Sequence, residues 1–330
     1  MPVYNDATYL REAVDSILAQ SYRDFTLLIV DDGSTDATPG ILSSYADKRI
    51  RILRHGKNLG RAHARNTALN AADSEYLAWM DGDDISLPER LATQVAFMDA
   101  HPHISVCGIW LRCFHEKNFR VKFPTASGTI CASTVFAPGL PNPATCMRLR
   151  NIRQCGIHYD VTMSRAEDFG FWGDLLLGGR AQAANIPQFL FRWRYFQRPT
   201  TTYWHAKALL GHIFPYLGLS PDPRMAQLHT DLVYLHVREF LAQYAMAESL
   251  EWLDTVWGAA RRHLPAQAVE PCRVMLRNHA ERLMAHSTDF KRVWPVWRKT
   301  SLGASWPAPL VLTRIFLRKA KSVARGVRHG

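Results

Sequence analysis

The apolar pattern of the first eighty residues switches period repeatedly, and this rhythm constrains the fold more than any other feature. Residues 9–20, YLREAVDSILAQ, set Leu10, Ala13, Val14, Ile17 and Leu18 at helical spacing, and FTLLIV at 25–30 is an unbroken apolar run of strand length. RIRIL at 49–53 alternates as a strand does, RAHARNTALNAA at 61–72 is Ala-rich and helical, and EYLAWM at 75–80 is strand-like again. Ser34 or Thr35 stands where a cap would open a helix over about 36–46. Helix and strand alternating through short loops specify an α/β fold, a mostly parallel sheet with helices on its faces. Such sheets bind ligands beyond the carboxyl ends of their strands. Two strands here end in acid: one runs into Asp31-Asp32-Gly33-Ser34 and one into Asp81-Gly82-Asp83-Asp84. Both turns belong on one rim.

The chain is 330 residues long and 47% hydrophobic, enough for a large core, which excludes disorder and small disulfide scaffolds. Ser105 to Asn151 is richer in Pro and Gly and yields no more than short strands and loops. EDFGFWGDLLL (167–177) reads as a helix and QFLFRWRY (188–195) as a strand; from about 205 to 290 the pattern is helical, broken by Pro215, Pro221, Pro223, Pro265 and Pro271. None of the six cysteines (Cys107, Cys113, Cys131, Cys146, Cys155, Cys272) forms a C-x-x-C pair or sits at zinc-finger spacing from histidine, so reduced thiols are expected. The start, MPVYNDATYL, has no basic or apolar leader region, and no run of about 18 apolar residues occurs. A cytoplasmic, non-spanning protein is the expectation.

Four carboxyl groups on one rim of a chain with net charge +11 need an offset, because like charges held close repel. A divalent cation is the simplest one. In Asp81-Gly82-Asp83 the first carboxylate can reach a ribose hydroxyl while Asp83 points at Mg²⁺ or Mn²⁺, hard ions that take oxygen ligands and bridge phosphates. Read alone, the same turn also looks like an acidic cap for the helix after Pro88. Tyr4 alone also reads as a core aromatic, Asp31 and Asp32 as turn residues, and Arg65 as a solvated helix charge.

Taken in order, the blocks PVYND, LREAVDSILAQSYRDFTLLIVDDGSTDAT, NLGRAHARNTAL and EYLAWMDGDDISLPERL resemble the nucleotide-sugar half of family 2 glycosyltransferases, the inverting group with the GT-A fold, over about residues 2–100. The resemblance implies a GT-A-like domain over 1–204, with a nucleotide-sugar half at about 1–100 and an acceptor half at about 101–204, followed by a helical region over 205–330. It implies that Pro2 and Tyr4 line the base pocket, that Asp31-Asp32 hydrogen-bonds the base, and that Arg65 approaches the nucleotide. It further implies that Asp81 contacts ribose and Asp83 binds the metal. An E-D pair well beyond the D-x-D supplies the general base in this family, and Glu167-Asp168 stands there, with Asp168, 85 residues after Asp83, as the base. Inverting transfer needs one carboxylate to take the acceptor's hydroxyl proton while a metal stabilises the departing diphosphate. Acidity at a helix N-terminus is the plain alternative for this pair.

FRWRYFQRPTT (191–201) resembles the Y-R-x-H stretch that closes the catalytic half, with Phe196 where His is common and Arg194 or Arg198 able to reach pyrophosphate. The family also carries a hydrophobic strand before P-V-Y-N, whereas this chain begins at Met1-Pro2; either the sequence starts late or another segment fills that place. The donor expected is a UDP-sugar and the acceptor a glycan or lipid-linked hydroxyl, in cell-surface polysaccharide or lipopolysaccharide assembly. A non-catalytic glycosyltransferase-like scaffold is the rival from another class. A nucleotidyltransferase would need a Gly-rich phosphate loop, which the sequence lacks.

The excess charge lies at the other end. Residues 1–200 carry +2 and 201–330 carry +9, and after Asp289 ten basic residues follow without an acidic one. Over about 308–330, Leu312, Phe316, Val323 and Val327 share one helical face while Arg314, Arg318, Lys321, Arg325 and Arg328 line another. A basic amphipathic tail of this kind suits an anionic membrane surface, peripheral on the inner leaflet; no nucleic-acid motif accompanies it.

Overall fold

The computed structural model describes residues 1–197, 202–286, 294–295, 297–304 and 315. The chain forms two compact units, one of Met1–Thr134 with Pro138–Pro199 and one of Val135–Ala137 with Thr200–Gly330.

The first unit opens with strand β1 (Pro2–Val3) and helix α1 (Leu10–Leu18), whose Leu10, Ala13, Val14 and Ile17 are buried as their spacing requires. Strand β2 (Leu27–Asp31), helix α2 (Thr38–Ser43), strand β3 (Ile50–Arg54) and helix α3 (Arg61–Ala71) follow. β1, β2 and β3 form a parallel sheet in that order, pairing Pro2 with Val30 and Leu27 with Ile50. Helix α2 starts later than the sequence suggests, and no side chain caps it at Ala37. The reason lies in the loop: Ser34 Oγ accepts from Asn5 N at 3.0 Å, and Thr35 N and Asp36 N donate to Asn5 Oδ1. Gly33 makes this crossing possible; it sits at φ +73°, and a Cβ there would lie 2.4 Å from the Lys57 carbonyl carbon.

Strand β4 (Tyr76–Ala78), β5 (Ile85–Ser86), α4 (Arg90–Ala100), β6 (Val106–His115), β7 (Phe119–Val121), α5 (Ser127–Thr134), β8 (Cys146–Arg148), α6 (Leu149–Cys155), α7 (Glu167–Leu176) and β9 (Ala183–Tyr195) complete the unit. Their strands form a second sheet in the order β4-β8-β6-β9-β5, with β7 on β6. Here the parallel rule holds only for β6 with β9; β4–β8, β5–β9, β6–β7 and β6–β8 are antiparallel. The core between the elements gathers Leu10, Val14, Ile29, Met80, Ile109 and Phe191. Arg90 is buried beneath the end of β4, donating to the Trp79 carbonyl at 2.6 Å, and it fixes the strand end that leads into Asp81.

The second unit is helical, with α8 (Thr202–Ala208), α9 (Pro223–Tyr234), α10 (Val237–Gln243), α11 (Met246–His263) and α12 (Ala266–His286). His229 lies at its centre, its Nε2 2.9 Å from the Val135 carbonyl and its Nδ1 accepting from Trp252 Nε1 at 2.9 Å. Burial lowers its pKa to about 4, so both ring nitrogens are satisfied in the neutral form. All six cysteines are unbridged. No helix among the described residues is long and apolar enough to cross a membrane. The basic stripe over 308–330 lies outside the described residues except for Ile315, which is buried, and Arg198 lies outside them too.

Candidate active site

The two acidic turns are built differently. At the end of β2, Asp31 Oδ1 accepts from Ser34 N at 2.9 Å and its Oδ2 lies 3.3 Å from Arg54 Nε. Asp32 accepts from Leu59 N at 3.0 Å and Gly60 N at 2.8 Å, and its Oδ1 is 2.6 Å from His55 Nδ1. His55 reaches on to Thr67 Oγ1 at 2.9 Å. Both carboxylates are buried; Asp31 holds its own turn and Arg54, and Asp32 holds the loop that launches α3. Pro2 is half-buried in β1, and Tyr4, 42% exposed, gives its backbone N–H to Asp6 Oδ2 at 3.2 Å.

At the end of β4 the carboxyl groups crowd instead. A Cβ on Gly82 would lie 2.7 Å from Asp6 Oδ2, so glycine lets the Asp6 carboxyl close on the turn. Burial, with Asp83, Asp81 and Asp36 adding repulsion, pushes the Asp6 pKa up to about 7 against the Tyr4 N–H. Asp84 is fully buried, accepts from Arg194 N at 2.7 Å, and leaves Oδ2 without a partner; burial and the charges of Asp83 and Asp81 push its pKa well up. Arg194 locks the turn from β9, its Nε donating to the Asp83 carbonyl at 2.7 Å and its other end paired with Glu12. The helix after Pro88 carries no side-chain cap, so the carboxylates of this turn are not consumed in that way.

Arg65 joins this turn to the second carboxylate motif. It projects from α3, is 3% exposed, donates to Asp81 Oδ1 at 3.2 Å and pairs with Glu167 Oε1. Burial alone would lower its pKa, but Glu167 and Asp81 together hold it above the ordinary arginine value. Burial raises the Glu167 pKa, with Asp168 adding to the rise and Arg65 working against it. The guanidinium lies 5.6 Å from the centre of the Tyr159 ring. Asn66 clasps the Tyr159 backbone at two points, both 2.8 Å, and the Tyr159 ring stacks on Phe171 of α7 at 4.3 Å. One face of α3 thus meets the start of α7, where Phe169 and Trp172 are fully buried.

Asp168 stands half-buried in the first turn of α7, its Oδ1 accepting from Phe169 N at 2.9 Å. Ala166, just before the pair, sits at φ 56°, a left-handed conformation that costs a non-glycine residue ~1–2 kcal/mol. The structure brings Asp81 and Glu167 onto Arg65; Asp31 contacts Ser34 and Arg54, and Asp32 contacts His55, Leu59 and Gly60. Asp6, Arg61 and Tyr159 escaped the sequence reading. Arg61, half exposed with Nε 3.8 Å from Glu167 Oε1, stands one helical turn before Arg65, a spacing that was there to be read. Tyr159 lay in a stretch with no periodic signal.

Among the described residues no group of three or more His, Cys, Asp or Glu side chains forms a metal cage. The D-x-D turn nevertheless fits a hard divalent ion that takes one or two carboxylates and fills its remaining positions from phosphate and water. Burial first, and then the charges of Asp83 and Asp81, disfavour the ionised forms of Asp6 and Asp84, and a cation there would offset the second of these causes.

A parallel nucleotide-type sheet joined to a mixed sheet, with carboxylates gathered at strand ends, is the GT-A class of glycosyltransferase fold. The sequence comparisons carry the assignment further. The glycosyl transferase family 2 model matches residues 1–157. A putative glycosyltransferase of Bacillus subtilis, EpsE, is 32% identical over 220 residues, 64% of this chain and 78% of that protein. The chain belongs to glycosyl transferase family 2. An uncharacterized glycosyltransferase of Haemophilus influenzae is 29% identical over 212 residues, which are 60% of this chain and 65% of that relative's length. In fold the chain resembles residues 1–349 of S. aureus TarS, solved in complex with UDP-GlcNAc, with a TM-score of 0.59 at 17% identity over 88% of this chain and 90% of that one. It also resembles the mannosyltransferase PcManGT of Pyrobaculum calidifontis, solved with GDP-Man and Mn²⁺, with a TM-score of 0.53 at 19% identity over 97% of this chain and 85% of that one.

Proposed function

We propose that the chain is an inverting, metal-dependent glycosyltransferase that moves a sugar from a nucleotide-sugar donor, a UDP-sugar, to a hydroxyl of a glycan or lipid-linked acceptor in cell-surface polysaccharide or lipopolysaccharide synthesis. The observation that carries this reading is the buried Arg65, which touches both Asp81 of the D-x-D and Glu167 of the E-D pair. Two carboxylate motifs that share one guanidinium serve one reaction centre more simply than two.

Asp168 is the base. Its carboxylate takes the proton of the acceptor hydroxyl as that oxygen bonds to the anomeric carbon, and the bond from that carbon to the diphosphate oxygen breaks on the opposite side. The nucleoside diphosphate leaves with the electron pair, and the sugar is transferred with inverted configuration. No covalent sugar–enzyme stage is needed. Glu167, locked to Arg65 and Arg61, positions the start of α7 so that Asp168 faces the acceptor. Asp83, with Asp81 beside it, would hold Mg²⁺ or Mn²⁺, which when bound offsets the charge of the diphosphate. Pro2 and Tyr4 border the base, and Asp31 and Asp32 shape the loop beside it. The presence of UDP-GlcNAc and of GDP-Man with Mn²⁺ in the two similar folds supports a nucleotide-sugar and a divalent ion here.

Release of nucleoside diphosphate from a panel of nucleotide-sugars tests the reading. Turnover that depends on Mn²⁺ or Mg²⁺ in the wild type and disappears in Asp168→Ala is the expected result; indistinguishable wild type and variant would point to a non-catalytic scaffold. The basic tail supports a second, spatial element, attachment to an anionic leaflet where such acceptors are built. Full-length protein with Arg314, Arg318, Lys321 and Arg325 changed to Gln should lose flotation with phosphatidylglycerol vesicles; unchanged recovery would remove the membrane element.

A further inference from the structure

Three arginines stand side by side across the outer face of the second sheet. Arg120 on β7 lies opposite Arg112 on β6, and Arg112 lies opposite Arg192 on β9. With strands ~4.8 Å apart, the row is roughly 10 Å long. Like charges directly opposite one another destabilise a sheet. No carboxylate among the described residues is ion-paired with any of the three. The reverse face is core, with Leu111, Cys113 and Phe191 buried, so the pattern of this sheet places the charges together on the open side.

The guanidiniums are held ready. Arg112 and Arg120 lie 5.8 and 5.2 Å from the centre of the Phe189 ring, and Arg192 lies 4.3 Å from that of Phe114. A guanidinium stacked by its face keeps its in-plane N–H groups for a ligand, and a stacked side chain has less freedom to lose when that ligand arrives. The row is also joined to the site. Phe114 carries Arg194 as well, at 4.5 Å, and Arg194 grips the Asp83 carbonyl. Arg192 and Arg194 are two residues apart on one strand, ~7 Å.

We propose that Arg112, Arg120 and Arg192 bind the phosphate group of a phosphorylated glycan acceptor and so bring its hydroxyl end toward the turn at Asp83, a proposal that rests on the transferase reading above. A phosphomonoester, with about two negative charges and three acceptor oxygens, matches a row of donor forks better than a single carboxylate does. A lipid surface fits less well, because membrane attachment needs apolar side chains free to insert, and Phe189 and Phe114, the rings beside these cations, are half-buried against the guanidiniums. Phe119, the large exposed hydrophobe of these strands at 40% exposure, pairs with Cys113 on the other face and lies edge-on to Tyr195.

The test titrates full-length protein and its Arg112→Gln/Arg120→Gln variant with pentamannose phosphate, with neutral pentamannose and with phosphatidylglycerol vesicles. Both arginines are exposed, so the variant should fold, and relief of repulsion should leave its melting temperature level or higher. The expected result is about tenfold or greater loss of affinity for the phosphorylated sugar, with the neutral sugar and the vesicles unaffected. Equal affinity of wild type and variant for pentamannose phosphate overturns the proposal. Loss confined to the vesicles overturns it too, assigning the row to a lipid surface. A nucleoside diphosphate titration with Mn²⁺ on both proteins separates the two levels of the account. Nucleotide binding with indifferent arginines removes this proposal alone. Arginine-dependent phosphate binding without nucleotide binding removes the donor reading and leaves the anion site standing.

Discussion

Two acidic turns end strands β2 and β4, which lie in different sheets, and they use their carboxylates in opposite ways. Asp31 and Asp32 distribute their oxygens over Ser34 N, Arg54, His55, Leu59 N and Gly60 N. At the turn Asp81–Asp84, Asp84 Oδ2 has no partner, and burial, reinforced by the charges of Asp83 and Asp81, pushes the Asp6 and Asp84 carboxyl groups toward their protonated forms. Satisfied carboxylates stabilise a loop; crowded ones store repulsion that a cation or a donor-rich ligand can release. The carboxylates of the first turn are tied into their surroundings and Asp84 Oδ2 of the second is not, although as sequence the turns look alike, and on the reading proposed above the second is the reactive rim.

Substitutions can break this contrast. The largest effect should come from Asp168→Ala, with transfer falling ~10²–10⁴-fold while the melting temperature changes little, because the proposed role of the carboxylate is on the acceptor and its hydrogen bond in the fold is to the adjoining Phe169 N. Arg65→Met should rank next, costing ~3–5 kcal/mol in urea unfolding, since it strands the buried Glu167 charge. Asp32→Ala should cost ~2 kcal/mol, leaving Leu59 N without an acceptor and Gly60 N with Asn58 Oδ1 alone, whereas Asp83→Ala should cost far less stability and remove the Mn²⁺ dependence of nucleotide binding. If Asp32→Ala spared stability and abolished metal dependence, the roles of the two turns would be reversed.

Asp6→Asn sharpens the contrast by pH. The folded-state pKa of about 7 stands above the ordinary 3.8, so the folded protein binds a proton that the unfolded chain has released across that window. The stability this group contributes is present below pH 4 and is lost as pH rises through 7. In metal-free protein the Asn variant should therefore match wild type near pH 4 and exceed it by ~2 kcal/mol at pH 8, measured by urea denaturation. A constant difference across pH would show that the folded protein does not hold the Asp6 pKa above its ordinary value.

The order of helices and strands from residue 9 to residue 80 is legible because each element carries a clean period and a short loop. The mixed second sheet is not: β4 and β9 show as strands, but β5 is two residues long, too short for a period to register, and the antiparallel partners of β4 and β5 are β8 and β9, remote in sequence. The carboxylates of the site were visible as motifs, but their division of labour was not. Whether an aspartate caps a loop or faces a ligand depends on which N–H groups the fold aims at it, and those of Leu59 and Gly60 come from more than twenty residues away from Asp32. The arginine row was hidden for the same reason, since Arg112, Arg120 and Arg192 meet only through strand register.

Diffraction from crystals soaked with Mn²⁺ and a nucleoside diphosphate, recorded at the manganese absorption edge, tests the central claim most directly. The account predicts an anomalous peak within bonding distance of the Asp83 carboxylate, on the diphosphate, with the Asp168 carboxylate facing it across the width of one sugar ring. A peak on Asp31 or Asp32, or one at Asp83 with Asp168 turned into a separate cavity, would contradict it.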